Sequence, residues 1–190
     1  MVHLLFLLRR SGCCSRWKGI GLQNRSCWFE SSQHRTAVDG ESMENMLVFQ
    51  KESMEELLRD SKQAYPKECC GILIGRRDGE KKTADIVIPT ENIAEKKQQC
   101  TGFFISPTAV MNAEILAEEK GLEIVGFYHS HPDYDAVVSA EDEKYMIAGY
   151  SYPIISVRDG ICTAVNSYEK KEQTKGIVLK EQCFVADAEY

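Results

Sequence analysis

"HSHPDYDAVVSAED", residues 129–142, sets two of the chain's four histidines one residue apart, with a serine at 139 and an aspartate at 142. The preceding "LEIVGFY" (122–128) is an apolar run that reads as a β-strand entering the histidines. Residues i and i+2 of a strand point to the same side, so His129 and His131 project together, about 6–7 Å apart along the chain. Pro132 ends the strand, and residues 132–138 return the chain to Ser139, a cap-type residue with Asp142 in the first helical turn behind it. Strand, short loop and helix start are the grammar of a layered α/β domain, with three metal-ligating side chains gathered at one end of a strand. Two readings compete. Surface histidines followed by a capping Ser/Asp box need no metal, and a bare HxH is weak. The full pattern HxHPx₆SxxD supplies two imidazoles and a carboxylate, and zinc that does chemistry is held by three protein ligands with a fourth position for water. No cysteine lies beside them to close the shell. The metal reading is favoured.

Working outward, the same alternation of elements recurs. "SMEELLRDSKQAYP" starts at Ser53 with Glu56 three residues on, as in a capping box, and Met54, Leu57, Leu58, Ala64 and Tyr65 form a helical stripe that Pro66 stops. "CCGILIG" is a short apolar strand, and "RRDGEKK" a charged turn into a hairpin. "TADIVIPT" and "TGFFIS" read as two more strands. "SPTAVMNAEILAEEKG" is the clearest helix, capped by Ser106, with Pro107 at its first position and Gly121 at its end. Its apolar face is expected at Val110, Met111, Ile115 and Leu116. "SAEDEKYMIAG" is a short helix from Ser139 to Gly149, "YPIISVRDGICTAVNSYEK" a hairpin turning at Arg158-Asp159-Gly160, and "KGIVLKEQCF" a last strand. The expected fold is one α/β layered domain over residues 46–186, a mixed central β-sheet flanked by helices.

Composition narrows the function classes. Apolar and charged shares of 43% and 27% are globular values. A net charge of −6 argues against a sequence-independent nucleic-acid binder, and no apolar run approaches the ~20 residues that span a bilayer. The eight cysteines include no CxxC pair, so free thiols in a reducing cytoplasm are expected instead of disulfides or a zinc finger.

Charge also divides the chain. Residues 1–42 hold six Lys/Arg against three Asp/Glu, whereas residues 43–190 hold seventeen against twenty-six. The leading segment has no acidic residue before Glu30. Its "LLFLL" is shorter than the ~7–15 residues of a secretory core, and the arginines follow it. A transit peptide fits better. The sharp composition step favours a third reading, in which residues 1–45 are a disordered or non-native extension ahead of a start at Met43 or Met46.

The histidine segment resembles the signature of the JAMM (MPN-plus) metalloprotease family, HxHx₇SxxD, which His129, His131, Ser139 and Asp142 match position by position. In "YPKECCGILIG", Glu68 stands where that family has an upstream glutamate, and the similarity covers roughly residues 50–170. The resemblance implies a cytidine-deaminase-like layered fold and one Zn²⁺ per chain on His129, His131 and Asp142. It also implies Glu68 as general acid/base toward a water activated by the metal, and Ser139 as donor to the oxyanion. Alone, Glu68 would read as an exposed charge after a helix, and Ser139 as a helix cap. The short interval between His131 and Ser139 is similar to the compact stand-alone bacterial and archaeal members. These act on small ubiquitin-like sulfur carriers ending in Gly-Gly, which makes such a carrier the expected partner. A homodimer is compatible with this reading. Alternatives are a deubiquitinase-type isopeptidase and a non-catalytic MPN partner-binding module, the latter disfavoured by the intact ligand set. A zinc deaminase would need HxE and PCxxC, and neither occurs. Intact mass of the natively expressed protein is expected to correspond to a chain lacking residues 1–42; a mass that includes them refutes the upstream-start reading.

Overall fold

The hairpin that follows the first helix organises the sheet. The computed structural model describes residues 45–172 and 176–186; the expected N-terminal extension lies outside them. Among the described residues the elements run β1 (Met46–Phe49), α1 (Lys51–Ala64), β2 (Cys70–Asp78), β3 (Lys81–Thr90), α2 (Pro107–Glu119), β4 (Glu123–Pro132), α3 (Ala140–Tyr145), β5 (Ile154–Arg158), β6 (Ile161–Lys170) and β7 (Val178–Val185). β2 and β3 form the expected hairpin, turning through Gly79, whose φ of 58° suits glycine. β2 then pairs antiparallel with β4, and β4 runs parallel to β5.

The strand order is β1-β3-β2-β4-β5-β6-β7, and the sheet closes into a barrel. This corrects the expected layered sheet. Closure comes from β1, which runs parallel to β3 on one side and to β7 on the other, with Val48 opposite both Thr83 and Phe184. "MLVF" is too short to display a period of two, so no strand is expected there from its residues alone. Leu47 and Phe49 are nonetheless fully buried.

Side-chain alternation divides the core into two clusters, as a pleated sheet requires. Leu73, Val125, Tyr128 and Ile155 share one face with Met54 and Leu57 of α1. Ile72, Phe127 and Ile154 share the other with Ala113 and Ala117 of α2. Tyr128 reaches across to donate to Asp60 Oδ2 at 2.7 Å. Gly71 makes room for it, because a Cβ there would lie 2.3 Å from the tyrosine ring.

Several local expectations change. α1 begins at Lys51 with Gln50 as N-cap and no side-chain cap, so Ser53 and Glu56 form no capping box. Ser53 Oγ instead donates to Asp85 O at 2.7 Å, tying the helix to β3. On α2, Ser106 caps as expected by accepting from Ala109 N, but Met111 and Ile115 face solvent. The close approach of the helix to the sheet is made by alanines, with Val110 and Leu116 flanking them. "TGFFIS" is no strand. Its Phe103 and Ile105 are buried, yet its backbone is claimed from outside the sheet: Phe104 N donates to Asn92 Oδ1 and Phe104 O accepts from Ile93 N.

Far along the barrel wall, Lys82 Nζ donates to Glu169 Oε2 at 2.7 Å and to Glu181 Oε1 at 2.9 Å, all three side chains being nearly inaccessible. Ser151 and Ser167 donate to Glu181, and Lys171 reaches Glu169. Removing one member of a buried ion cluster strands the others' charge. Lys82→Met is expected to lower the unfolding free energy by about 3–5 kcal/mol in urea titrations; a loss below ~1 kcal/mol would contradict that account.

Candidate metal centre

β4 delivers His129 and His131 to the same face, two residues apart, and both are almost wholly buried. Their Nε2 atoms lie 3.0 Å apart. α3 supplies the third group: Asp142 Oδ1 is 3.4 Å from His129 Nε2, and Oδ2 is 3.7 Å from His131 Nε2. One ligating atom from each residue falls within 4.8 Å of the others.

The sequence builds this corner through the capping box. Ser139 Oγ accepts from Asp142 N at 3.0 Å, and Asp142 Oδ2 accepts from Ser139 N at 2.7 Å. The cap reading is met by these two residues, and the cap leaves Asp142 beside both histidines. Capping uses one oxygen of the carboxylate and turns the other toward His129. Burial would raise the Asp142 carboxyl, but the nearby His129 and the hydrogen bond from Ser139 outweigh it and hold the group far below the usual carboxylate range.

The ring of His131 is oriented by its other nitrogen. Nδ1 lies 2.9 Å from the carbonyl of Asp135, which can only accept, so Nδ1 carries the proton and Nε2 offers its lone pair. His129 is set by packing, its ring stacked on Phe103 with centroids 4.7 Å apart. A pocket lined by Phe103, Val138, Met146, Tyr152 and Ile154 surrounds His129 and Asp142.

Glu68 is buried, with only 4% of its surface exposed, which removes the reading of an exposed charge after a helix. Cys70 lies opposite His129 in the β2–β4 register, and Cys69 O accepts from Ser130 N one step on. Glu68 stands two residues before Cys70, where β2 begins. Its backbone is held from two sides: Glu68 N donates to Gln99 O at 2.7 Å, and Glu68 O accepts from Asn92 Nδ2 at 3.0 Å. Asn92 Nδ2 also reaches Gly102 O, while its Oδ1 accepts from Ala94 N and Phe104 N. This amide couples the glutamate strand to the segment that bears Phe103. Neither Asn92 nor Phe103 was legible in the sequence, because both act across loops with no spacing signal. Cys70 shares the face with His129, and burial pushes its thiol up to about 12. None of the five described cysteines forms a disulfide, although Cys100 and Cys183 are only partly buried.

The donor set fits a divalent ion. Nitrogen and oxygen ligands in a His₂Asp trio suit zinc, and the three buried ligating atoms converge within 4.8 Å of one another.

Residues 50–170 match the family described as prokaryotic homologs of the JAB domain. The chain belongs to that family. Two curated relatives lie within reach. A desampylase of Haloferax volcanii is 37% identical over 100 residues, covering 52% of this chain and 68% of that protein. A probable TtuB-protein conjugate cleaving protease of Thermus thermophilus is 34% identical over 93 residues, 49% of this chain and 55% of the relative, so the match spans about half of the latter. The JAB fold recurs in a solution structure from Desulfitobacterium hafniense, with a TM-score of 0.65 at 32% identity, covering 75% of this chain and 94% of that one. A Salinibacter ruber structure gives 0.57 at 27%, covering 74% and 92%. Among the described residues of this JAB domain, no helix is long and apolar enough to cross a membrane.

Ser139→Ala removes the acceptor for Asp142 N and is expected to destabilise the metal-free protein by about 1 kcal/mol in urea unfolding, the usual cost of a lost N-cap. An unchanged midpoint would mean that the cap carries no weight.

Proposed function

We infer that this protein is a zinc metallopeptidase, with one Zn²⁺ per chain, that hydrolyses the amide bond following the C-terminal Gly-Gly of a small ubiquitin-like sulfur carrier. The observation that carries this reading is the buried convergence of His129, His131 and Asp142. Family membership supports the hydrolase chemistry. The names of the two curated relatives, a desampylase and a conjugate cleaving protease, support a protein-conjugate substrate.

His129 and His131 through Nε2, and Asp142 through its carboxylate, would hold the ion. Zinc held there would lower the pKa of a water toward neutrality and polarise the scissile carbonyl. Glu68, buried two residues ahead of the Cys70–His129 pair, takes a proton from the attacking water and returns it to the departing nitrogen. Ser139 Oγ already accepts from Asp142 N, which leaves its hydroxyl hydrogen to donate to the oxygen of the reacting carbonyl. Phe103, Val138 and Ile154 wall the imidazole of His129 and limit water around the reacting atoms. A tail of two glycines, lacking side chains, is the extended peptide best able to approach ligands so enclosed.

The test combines metal analysis with incubation against a Gly-Gly-terminated carrier bearing a C-terminal extension. The expected outcome is about one zinc per chain and release of the extension, abolished by chelation. Glu68→Gln should retain zinc and lose at least 10²–10⁴-fold in turnover, whereas Asp142→Ala should lose zinc as well. Undiminished turnover in Glu68→Gln removes that residue from the mechanism. Cleavage of ubiquitin chains but not of the carrier would instead assign a deubiquitinase-type isopeptidase.

A further inference from the structure

The loop between His131 and Ser139 is strapped down along its length by residues outside the signature. Asp133, at a φ of 61°, donates its N–H to Val157 O and accepts from Tyr65 Oη. Tyr134 O accepts from Ser156 Oγ at 2.7 Å, and the Asp135 carboxylate accepts from Arg158. Asp135 O accepts from Val137 N as well as facing His131 Nδ1. The next carbonyl, that of Ala136, is held by two side chains. It accepts from Asn166 Nδ2 at 2.8 Å and from Tyr168 Oη at 3.0 Å, both from β6, while the Ala136 side chain is buried. Neither donor belongs to the metal trio, and β6 is separated from β4 by β5.

We propose that Asn166 and Tyr168 are positioning residues for the metal centre. By clamping the Ala136 carbonyl they fix the adjoining peptide of Asp135, whose carbonyl selects the Nδ1-protonated form of His131 and aims its Nε2 at the ligand position. Two side-chain donors converge on the Ala136 carbonyl, whereas Tyr134 O takes one, from Ser156, and Asp135 O faces one, His131. The clamp acts where a rotation of one peptide plane would break the His131 contact. An outer partner that orients a ligating imidazole commonly sets metal affinity by 10–100-fold. The consequence for zinc rests on the metal reading above; the consequence for the imidazole does not.

The experiment therefore has two arms, on wild type, Asn166→Ala, Tyr168→Phe and the double variant. In metal-free protein, above the ordinary titration range of histidine, long-range ¹H–¹⁵N spectra read the tautomer of each imidazole. Zinc affinity is measured separately by competition with a chromophoric chelator. Wild type is expected to hold His131 in the Nδ1-protonated form. The double variant should show a mixture of tautomers at His131, and its zinc affinity should fall about 10-fold. A general loss of stability would lower the unfolding midpoint without changing the tautomer. Tyr168→Phe, which keeps the ring and deletes one oxygen, carries the test by itself should the double variant not fold. A His131 that stays fully Nδ1-protonated in a folded variant overturns the proposal, whatever the affinity does. Wild-type protein that takes up no zinc would overturn the metal reading, with the tautomer arm still judging the clamp.

Discussion

Two imidazole nitrogens held 3.0 Å apart in a buried corner, facing a carboxylate, are the constraint around which the domain is arranged. Asp135 O assigns the proton of His131 to Nδ1, so Nε2 of that ring presents a lone pair. The Asp142 carboxylate can only accept. Electron-rich atoms brought together away from water repel one another unless positive charge lies among them, either a proton on His129 or a metal cation. Much of the surrounding structure maintains this otherwise unfavourable proximity.

Three parts of the fold share that task. The β4 strand sets both histidines on one face, and its pairing with β2 places Cys70 opposite His129, two residues after the buried Glu68. A slip of one residue would turn both histidines to the opposite side, so the hydrophobic pattern of the two strands is also what specifies the site. The capping box of α3 then commits one oxygen of Asp142 to the helix and turns the other toward His129. Finally, the loop 133–138 is fixed by donors from α1's C-terminal side, β5 and β6, so the short interval between the second histidine and the helix is a rigid connector.

Barrel closure places the polar burden elsewhere. The Lys82–Glu169–Glu181 cluster lies on β3, β6 and β7, where the curled sheet brings strands from both ends of the domain together. Buried charge there is matched by opposite charge and serine hydroxyls, whereas the Asp142 carboxylate meets two imidazoles and a helix start. The two buried polar groups thus differ in kind: one holds lysine against glutamate, the other gathers ligand atoms that could hold a metal ion.

The sequence by itself determined the elements whose residues touch neighbours along the chain. The strand into His129, the Ser139–Asp142 helix start, the Ser106–Pro107 helix and both hairpins follow from period, caps and turn residues, and the similarity of His129, His131, Ser139, Asp142 and Glu68 to a known signature carried the functional reading. Only tertiary structure decided the closure of the sheet, since four residues of β1 show no period and gain their place by pairing with strands from opposite ends of the domain. It likewise decided that alanines, not Met111 and Ile115, face the sheet from α2, because close helix–sheet approach rewards small side chains over larger apolar ones. Asn92, Phe103, Asn166 and Tyr168 left no mark in the sequence for the same physical reason: each acts on a backbone carbonyl, an amide or a ring brought near by folding, and such partners have no fixed spacing along a chain.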